Sequence, residues 1–588
     1  MEVFWEILLT NCNKNSGKKP LNFFHCSQKL FNPDRLKPTF SKNILWAFLI
    51  FLPVGLYFYF LSEYAINIPK WDDHALKAFI VEFQNADGFI PKLQCFFKQH
   101  NEHRIAFDRF FTLIVFWIHG SIEYRWLMWI GNFTLLGVLF IFFKIFRKQK
   151  ISLVYFIPIA FILFQLQLWE NTFWGMAAMQ NFGVVFFILA LIYLISSEKK
   201  SHLYIALFVA FLATYTSGNG ITIFPVCIVL LVIQRRFKDV FIFSAVASIL
   251  VFLYFYQYKF PENNPSMDGI GIKKIASGFF MFIGSVFDLI PNTSQNQKIT
   301  ISLGFILFIT GSIIAIYLIF NSKLFKKQRN INPTELFILG TIMFLIGTAI
   351  VVTYTRISYG EASLLTSRYK IYSILLLITI YLAIISKLNL VDNKWLSFAL
   401  IFMAICFNLI ANFTHFKDTV NFRNQLISFG INWKLEEKIF DKEPDTKLYE
   451  MPELSFENSL SEIKKPINNA SVWKESISKS INSDGIIIQN NSFDTPTNKE
   501  DNISLIVQSL TKTYFMPSQL MNYPIKAFVR TGKYWQNGFV GLLNNNEFEN
   551  GTYQLGIFIK NGQNIKTYYL NDSIIVNNPK SKPAKTNW

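Results

Sequence analysis

Long apolar runs alternate with short polar loops over most of the chain between residues 44 and 413. A helix needs roughly 20 predominantly apolar residues to cross a bilayer. About eleven runs of this length or a little less occur, at 44–62, 127–146, 151–169, 179–195, 203–216, 220–233, 239–257, 301–320, 335–354, 370–386 and 395–413. The pattern predicts an all-α polytopic membrane domain over 44–413 with about eleven transmembrane helices.

One further apolar run, 105–118, decides which loops share a side of the membrane. It is short for a span and contains Asp108 and Arg109, whose exposure to lipid would cost roughly 2.5–3.5 kcal/mol each. We therefore expect an amphipathic helix that lies in the outer interface rather than another span.

Basic residues are concentrated in short loops, and such loops stay on the cytoplasmic side of a membrane. The arm 1–43 is therefore predicted to be cytoplasmic, and the loop 63–126 and the tail after 413 to lie outside. The predicted cytoplasmic loops are 147–150, 198–200, 235–238, 323–329 and 387–394. Gly and Asn at 217–220 fit either an external hairpin or one broken helix.

The composition also indicates a membrane protein. Hydrophobic residues make up 52% of the 588 residues, and Phe alone occurs 64 times. The formal charge of +18 includes many Lys and Arg residues in helix-orienting loops, so it does not indicate a nucleic-acid partner. Of the five cysteines only Cys95 falls in an external loop, which argues against a disulfide framework.

Residues 414–588 have a different composition, rich in Asn, Lys, Ser and Asp. We predict a connector over 414–480, helical at 422–440, and a small β-rich extracytoplasmic domain over 481–588. Short β-branched or aromatic runs between Asn and Gly residues predict strands at 485–488, 503–510, 525–529, 538–543, 553–559 and 565–570. A β-sandwich is the expected architecture.

The first outer loop carries an acidic pair, Asp72 and Asp73, soon after the first span. Neighbouring residues point in different directions on a helix or a strand, so the two carboxylates cannot share one proton as a facing dyad does. We expect one to act as a general base while the other caps a helix that begins near Asp73 or orients its neighbour. The alternative is that the pair has a capping role alone. His74 is a predicted substrate-binding residue of the same cluster.

A second polar cluster, His100-Asn101-Glu102-His103-Arg104, precedes the expected interfacial helix. Its histidines and Glu102 match no strong zinc spacing, so no cofactor is indicated, although the residue types are compatible with a divalent ion. We expect Arg104 to face an anionic head group, with Glu102 holding it and His103 beside it. A solvated turn is the alternative for the two histidines.

Three more polar stretches lie at the outer ends of predicted spans. A carboxylate and an amide at a helix end can hold hydroxyl groups, which is the role expected of Glu170 and Asn171. Arg368, at the start of a span, is either a snorkelling anchor or a phosphate clamp. The neighbouring Trp169 and Trp174 are typical of an interface belt, and sugar stacking is the alternative role. The predicted substrate-binding residues in these stretches are Glu170, Asn171, Asn219, Arg356 and Arg368.

The order of these features resembles the GT-C superfamily of polytopic glycosyltransferases. A span is followed by an acidic pair, a Glu-His-Arg stretch, an amphipathic helix that ends at His119-Gly120, and Glu123-Tyr124-Arg125 before the next span. The resemblance covers the layout of roughly residues 44–386, and its most specific part is Asp72-Asp73 with the two-helix loop after it. Members of this superfamily use lipid-phosphate-linked sugars at the outer membrane face.

The resemblance implies a reaction and its partners. Asp72 or Asp73 would deprotonate the acceptor hydroxyl, and Arg104, Arg356 or Arg368 would receive the lipid phosphate. The donor would be a polyprenyl-phosphate sugar, and the acceptor a glycan, lipid or protein of the cell envelope. An arginine can hold one leaving phosphate bidentately without a metal, and attack by the activated hydroxyl inverts the anomeric centre.

Two other classes of function stay open from the sequence. A transporter or flippase of a lipid-linked glycan would place ionisable residues at mid-membrane depth, whereas the polar clusters here lie at the outer ends of spans. A glycan polymerase, ligase or binding scaffold would not use this donor chemistry. Frequent Lys, Asn, Ile and Phe suggest an AT-rich bacterial genome, so we expect a multi-pass protein in contact with the lipid of the bacterial inner membrane.

Overall fold

A computed structural model of the chain describes most of the sequence between Pro33 and Asn577. The described residues are 33–260, 265, 267, 269–289, 294–322, 332–387, 394–435, 448–452, 460–481, 485–496, 499, 501–544, 547–562 and 564–577. Residues 1–32 of the predicted arm, the predicted loop 323–329 and most of the loop 387–394 lie outside them. The chain divides into two compact units, Met1–Leu52 and Pro53–Trp588, and the described part of the first is the beginning of one long helix.

Helices form most of the described chain as far as Lys434. In chain order they are α1 Pro33–Tyr64, α2 Asp73–Asn85, α3 Phe89–Phe97, α4 Ala106–His119, α5 Tyr124–Arg147, α6 Ile157–Leu163, α7 Trp169–Thr172, α8 Gly175–Ala177, α9 Gly183–Ile195, α10 Lys200–Thr214, α11 Ile223–Ile233, α12 Phe237–Phe255, α13 Ile272–Gly284, α14 Ser294–Phe320, α15 Pro333–Arg356, α16 Lys370–Lys387, α17 Lys394–Lys434, α18 Leu460–Ile463 and α19 Ile525–Thr531. Short 3₁₀ or π turns extend several of them, so that α6 with α7, and α8 with α9, form longer helical segments.

Nine helical segments of the described chain are long and apolar enough to cross a membrane. Two shorter apolar segments, Lys200–Thr214 and Gly218–Ile233, fall on two of the predicted runs. Every predicted apolar run is therefore helical, and nine of the eleven reach spanning length. The nine are Asn43–Tyr64, Tyr124–Arg147, Leu153–Thr172, Gly175–Ile195, Phe237–Phe255, Gln295–Phe320, Pro333–Tyr359, Ser367–Lys387 and Lys394–Lys434.

The run at 105–118 forms the separate helix α4. Its charged residues Asp108 and Arg109 are buried within the protein, while Phe110, Trp117 and Ile118 are exposed. An apolar exposed face opposite a charged buried one is compatible with a helix that lies along a lipid surface. The predicted helix is confirmed, and its depth in a membrane stays a prediction.

Helix α13 has no counterpart among the predicted runs, because two lysines in its first turn interrupt its apolar residues. It packs closely on α14 through two glycines. A Cβ on Gly284 would lie 2.0 Å from the carbonyl oxygen of Thr300, and one on Gly304 would lie 1.9 Å from that of Phe280. Only residues without a side chain permit this approach of the two backbones.

The C-terminal region contains one eight-stranded sheet instead of the predicted two-sheet sandwich, in the order β3-β10-β9-β6-β7-β8-β5-β4. Ile486 of β5, Leu505 of β6 and Val576 of β10 share one core, so the sheet curves over itself. The alternation of apolar residues predicts which side chains face a core and leaves the pairing of strands open. The strands are β1 Gln99–His100, β2 His103–Arg104, β3 Ser471–Val472, β4 Ser478–Ile481, β5 Gly485–Asn490, β6 Asn502–Gln508, β7 Thr513–Gln519, β8 Phe539–Asn544, β9 Gly551–Asn561 and β10 Asn564–Val576.

The predicted strand at 525–529 is wrong, because these residues belong to helix α19. Pro524 precedes the helix, and Gly532 ends it with a φ of +68°. Ile525, Phe528 and Val529 have the i, i+3, i+4 spacing of one helical face. The run also has the β-branched and aromatic residues typical of a strand, which is why its composition predicted one.

The last span continues past residue 413 as part of the unbroken helix α17. The predicted connector helix at 422–440 is the continuation of this span as far as Lys434. Phe422 and Trp433 of this part share a core with Phe515 of β7 and Phe558 of β9. The sheet therefore packs directly on the extended helix.

Candidate functional site

The polar stretches that the sequence analysis singles out lie together in the structure. We call them the polar site, which consists of Asp72, His100, Asn101, Glu102, His103, Glu170, Asn171, Asn219, Arg356 and Arg368. The contacts within it are Asn101 Nδ2 to Asp72 Oδ1 at 3.2 Å, the Gly218 N–H to His103 Nδ1 at 3.1 Å, Arg356 to Glu102 at 3.2 Å and Arg368 to Glu170 at 3.4 Å. The charge of Arg368 also acts on Asp72, which relates the last pair to the others.

Asp73, the first residue of α2, has a structural role. Its side chain is buried, with the residue 1% exposed. One carboxylate oxygen accepts a hydrogen bond from the Lys70 N–H at 3.0 Å, and the other accepts one from the Met176 N–H at 2.8 Å. The carboxylate thus fastens the start of α2 to α8.

Asp72 differs from its neighbour because its side chain is 32% exposed and faces polar groups. Its Oδ1 lies 3.4 Å from Nε2 of His100 and 3.2 Å from Nδ2 of Asn101. It occupies the N-cap position of α2 but makes no capping hydrogen bond through its side chain, so capping does not explain it. Burial raises the pKa of Asp72, but His100, Arg368 and Asn101 together lower that pKa below its ordinary value, which keeps the group ionised at neutral pH.

Two residues beside Asp72 have strained backbones. Trp71 has a φ of +44° and Asn101 a φ of +47°, values that residues other than glycine rarely adopt. The Trp71 ring packs edge-on against Trp174, with 5.7 Å between the centroids. Such strain persists only where the surroundings hold it, and it is concentrated at functional sites.

His103 holds a loop of the polar site in place. It pairs with His100 across the β1–β2 hairpin, and its Nδ1 accepts a hydrogen bond from the Gly218 N–H. Burial lowers the pKa of His103, and the opposing charge of Glu102 does not cancel the effect. The ring is therefore neutral at physiological pH, as an accepting Nδ1 requires.

Arg104 is engaged with backbone carbonyl groups. Its guanidinium donates hydrogen bonds to the carbonyls of Phe97, Tyr254 and Tyr256. Arg109 similarly donates to two carbonyls at the end of α3. Arg104 therefore fixes α3 against α12, and each of its three guanidinium nitrogens donates to the main chain.

Two acid–arginine pairs form another side of the polar site. Arg356 lies 3.2 Å from Glu102, and Arg368 lies 3.4 Å from Glu170, and the four side chains are between 11% and 33% exposed. The guanidinium of Arg368 also lies 5.6 Å from the centre of the Trp174 ring. Partly exposed guanidinium groups can bind phosphate oxygens with two parallel hydrogen bonds. Arg356 and Arg368 are therefore better placed to bind an anion than Arg104.

The two amides predicted to bind substrate are held by protein groups. Asn171 donates to the Arg368 carbonyl at 3.1 Å and accepts from Asn181 at 2.8 Å. Asn219 donates to the Tyr372 hydroxyl at 3.0 Å. Both amides position the segments that carry them.

Lys70, which no sequence pattern marks, lies in a cage of aromatic rings beside the polar site. Its Nζ is 4.2 Å from the ring centres of Trp71 and Phe422 and 5.5 Å from that of Trp174. Burial lowers the pKa of Lys70 to about 8, although the charge of Glu170 opposes this shift. The caged ammonium is a buried charge next to a carboxylate and an arginine.

His74 lies apart from the polar site. The residue is 3% exposed, and its ring packs edge-on against Trp433 at 6.0 Å between centroids. It lies on the face of α2 that contacts α17. This placement gives His74 a packing role, and the sequence offered no signal that separates it from the adjacent acids.

An apolar cavity of about 1120 Å³ adjoins the polar site. Residues from α3, α10 and α12 line it, and Asn101, which donates to Asp72, is part of its wall. The apolar lining includes Leu93, Phe97, Phe211 and Leu253, and the basic residues of the lining are Lys98, Arg104 and Lys259. Apolar walls with a few cationic groups suit a lipid tail that carries an anionic head group.

No protein-family model, curated protein or solved structure matches this chain. The geometry of the site therefore carries the functional argument. Lys70 beside the site, and His100 and Asn101 within it, had no substrate-binding or catalytic role assigned from the sequence. Each lies within two residues of a predicted site residue, and its role depends on contacts that bring distant segments together. Within the described chain, no group of three or more His, Cys, Asp or Glu side chains is arranged to hold a metal ion.

Proposed function

We propose that this chain is a membrane glycosyltransferase that moves a sugar from a polyprenyl-phosphate donor to a cell-envelope acceptor. The observation that carries the proposal is one partly exposed carboxylate, Asp72, in the same site as two partly exposed arginines, Arg356 and Arg368. Transfer from a lipid phosphate needs a base for the acceptor and a cation for the leaving group. The site contains both.

Asp72 is the proposed general base. As the acceptor oxygen attacks C1 of the sugar, its proton passes to the Asp72 carboxylate. The bond between C1 and the phosphate oxygen breaks, and its electron pair remains on the phosphate. Attack from the side opposite the leaving group inverts the anomeric centre.

The arginines are proposed to stabilise the charge that develops on the leaving phosphate. Arg356 and Arg368 carry permanent charges, and their carboxylate partners Glu102 and Glu170 orient them before the donor binds. Hydrogen-bond donors that are already in position need little reorganisation during the reaction. The proposal therefore assigns the arginines to the donor side and Asp72 to the acceptor side.

The cavity of about 1120 Å³ supports a lipid-linked donor over a soluble one. Its apolar walls suit an isoprenoid chain, and Lys259 in its lining suits an anionic head group, whereas Lys98 is paired with Glu82. Asn101 contributes both to this cavity and to the Asp72 environment. A lipid in the cavity would thus present its sugar-phosphate head to the polar site.

Turnover of polyprenyl-phosphate sugars by the purified protein in nanodiscs tests the proposal. Wild type is compared with Asp72→Asn and with the matched control Asp87→Asn, whose side chain is in an exposed loop. We expect Asp72→Asn to lower the release of polyprenyl phosphate by about 10²–10⁴-fold, with no change in the control. Equal turnover by Asp72→Asn and wild type would reject this role and favour a polymerase or ligase. Lipid movement between leaflets without turnover would favour a flippase.

A further inference from the structure

A second cavity, of about 490 Å³, lies between α17 and the C-terminal sheet. One wall is the part of α17 between Lys417 and Asn432, and the facing wall consists of β7, β8 and the residues that follow them. We call it the helix–sheet cavity. None of its lining residues belongs to the larger cavity beside Asn101.

Two asparagines of α17 fix the helix to strand β7 and the residue after it. Asn421 donates to the Leu520 carbonyl at 3.1 Å and accepts from the Leu520 N–H at 2.9 Å. Asn432 makes the same pair of bonds with Phe515, at 2.7 and 2.8 Å. Each amide thus pairs with a peptide group as a neighbouring strand would. Because the two attachments are three helical turns apart, the cavity between them is formed before any ligand binds.

The lining combines aromatic faces with hydrogen-bonding groups that the protein leaves available. Within the described residues, the side-chain amides of Gln425 and Gln519 have no protein partner. Glu547 accepts from Asn544 at 3.2 Å through one oxygen, while its Oε2 is buried without a hydrogen-bond partner. The aromatic members of the lining are Trp169, Phe422, Phe429 and Phe515.

The carboxyl group of Glu547 can serve both as a donor and as an acceptor near neutral pH. Burial raises the pKa of Glu547 to about 7, although Asn544 opposes the shift. A protonated carboxyl donates one hydrogen bond, and an ionised one accepts up to four. Hydroxyl groups, which donate and accept, match both states.

The helix–sheet cavity is one layer of side chains away from the polar site. Trp169 lines the cavity, and the next residue, Glu170, pairs with Arg368. Phe422 also lines the cavity, and its ring covers the Lys70 ammonium. A ligand in this cavity would therefore lie one layer of side chains from Arg368, which is proposed to bind the donor phosphate.

We propose that the helix–sheet cavity binds the sugar chain of the acceptor, a neutral oligosaccharide. This inference rests on the proposed transferase function. Aromatic faces with a few convergent amides and one carboxyl are the groups that bind hydroxyl-rich ligands. Among the charged residues of the lining, Lys417 offsets Asp418, and Glu547 loses its charge when it is protonated near pH 7, so the lining has no surplus positive charge that would select an anionic glycan.

Direct binding tests the inference without requiring activity. Isothermal titration calorimetry on the whole protein in nanodiscs would use a panel of neutral di- to hexasaccharides of hexoses and deoxyhexoses. Gln425→Ala and Glu547→Ala are each expected to weaken binding about tenfold, since each removes a hydrogen-bonding group from the cavity. Glu549→Ala is the matched control, because Glu549 pairs with Lys512 on the surface and is 69% exposed.

The outcomes separate this inference from the proposed function. Failure of every oligosaccharide to bind wild type, or equal binding by wild type and both cavity variants, would overturn it. In a turnover assay, the variants should raise the KM for the acceptor and leave hydrolysis of the donor without acceptor unchanged. Glycan binding that depends on Gln425 and Glu547, in a protein that turns over no donor, would support the cavity as a glycan site and reject the transferase function.

Discussion

Nε2 of His100 lies 3.4 Å from Oδ1 of Asp72, although the two residues come from different elements of the loop after the first span. The β1–β2 hairpin places the ring there, and the start of α2 places the carboxylate. The imidazole counteracts the effect of burial on the acid. His100 thus helps to determine the pH at which Asp72 can accept a proton.

Replacing His100 by Asn should move the acid limb of the proposed transferase activity to higher pH. His100 lowers the pKa of Asp72, so its removal lets the carboxylate protonate at a higher pH and lose its proposed function as a base. The measurement is kcat/KM against pH, between about pH 4 and 8, for wild type and His100→Asn. His119→Asn is the control, because His119 lies at the far end of α4, against Trp126. An acid limb that does not move would show that His100 has no influence on the base.

Replacing Asp73 by Asn should reduce stability more than the chemical step. The buried carboxylate accepts from two backbone N–H groups, and the loss of a hydrogen bond to a charged group costs about 2 kcal/mol. Thermal unfolding followed by tryptophan fluorescence should therefore show a lower midpoint for Asp73→Asn than for Asp72→Asn. Turnover measured well below that midpoint should persist. A fully stable but inactive Asp73→Asn variant would assign the base to Asp73 instead.

The free energy of unfolding should increase as the pH rises above about 8, because the buried Lys70 then loses its charge. Its pKa is lowered from 10.5 to about 8 in the folded protein, so between these values the unfolded chain binds more protons, and the free energy of unfolding increases with pH. The contribution is at most roughly 3 kcal/mol. Unfolding midpoints from about pH 7 to 10 should rise less in Lys70→Met than in wild type and in the exposed control Lys533→Met. Parallel profiles in all three proteins would contradict a lowered pKa.

If Arg356 or Arg368 receives the phosphate, replacing that arginine by Lys should lower turnover about tenfold or more. Lysine keeps the charge but lacks the planar fork that binds two phosphate oxygens. The loss should fall on kcat, since the charge on the leaving group develops in the transition state. Arg125→Lys is the control, because Arg125 pairs with Glu123 and is 51% exposed. Unchanged kinetics in both site variants would place the phosphate elsewhere.

The helical spans and the polar stretches could be predicted from the sequence because each is a local pattern. The different roles of Asp72 and Asp73 could not, since they depend on His100 and on the Met176 N–H, which is 103 residues beyond Asp73. The cage of Lys70 likewise requires Phe422, which comes from the last span. Neighbouring residues of the same type acquire different environments only when the chain folds.

The C-terminal region shows a similar limit. Apolar alternation marks β5, β6, β8, β9 and β10, but it does not show that they join in one sheet. Residues 525–529 satisfy both a strand composition and a helix spacing, and the flanking Pro524 and Gly532 decide in favour of the helix. The side of the membrane on which this region lies remains a prediction from loop charge.

Because α17 is one unbroken helix, the last span and the sheet that packs on it form one rigid unit. Inserting a single residue between Phe413 and Asn421 would turn everything beyond it by about 100° and move it by about 1.5 Å along the axis. Asn421, Asn432 and the sheet that they hold would turn together, so Phe422 would leave the Lys70 ammonium and Trp433 would leave the His74 ring. The C-terminal region therefore cannot be exchanged like a domain on a flexible tether. Chimeras that graft another sheet onto this chain must therefore keep the number of residues in α17 unchanged, so that its side chains point in the same directions.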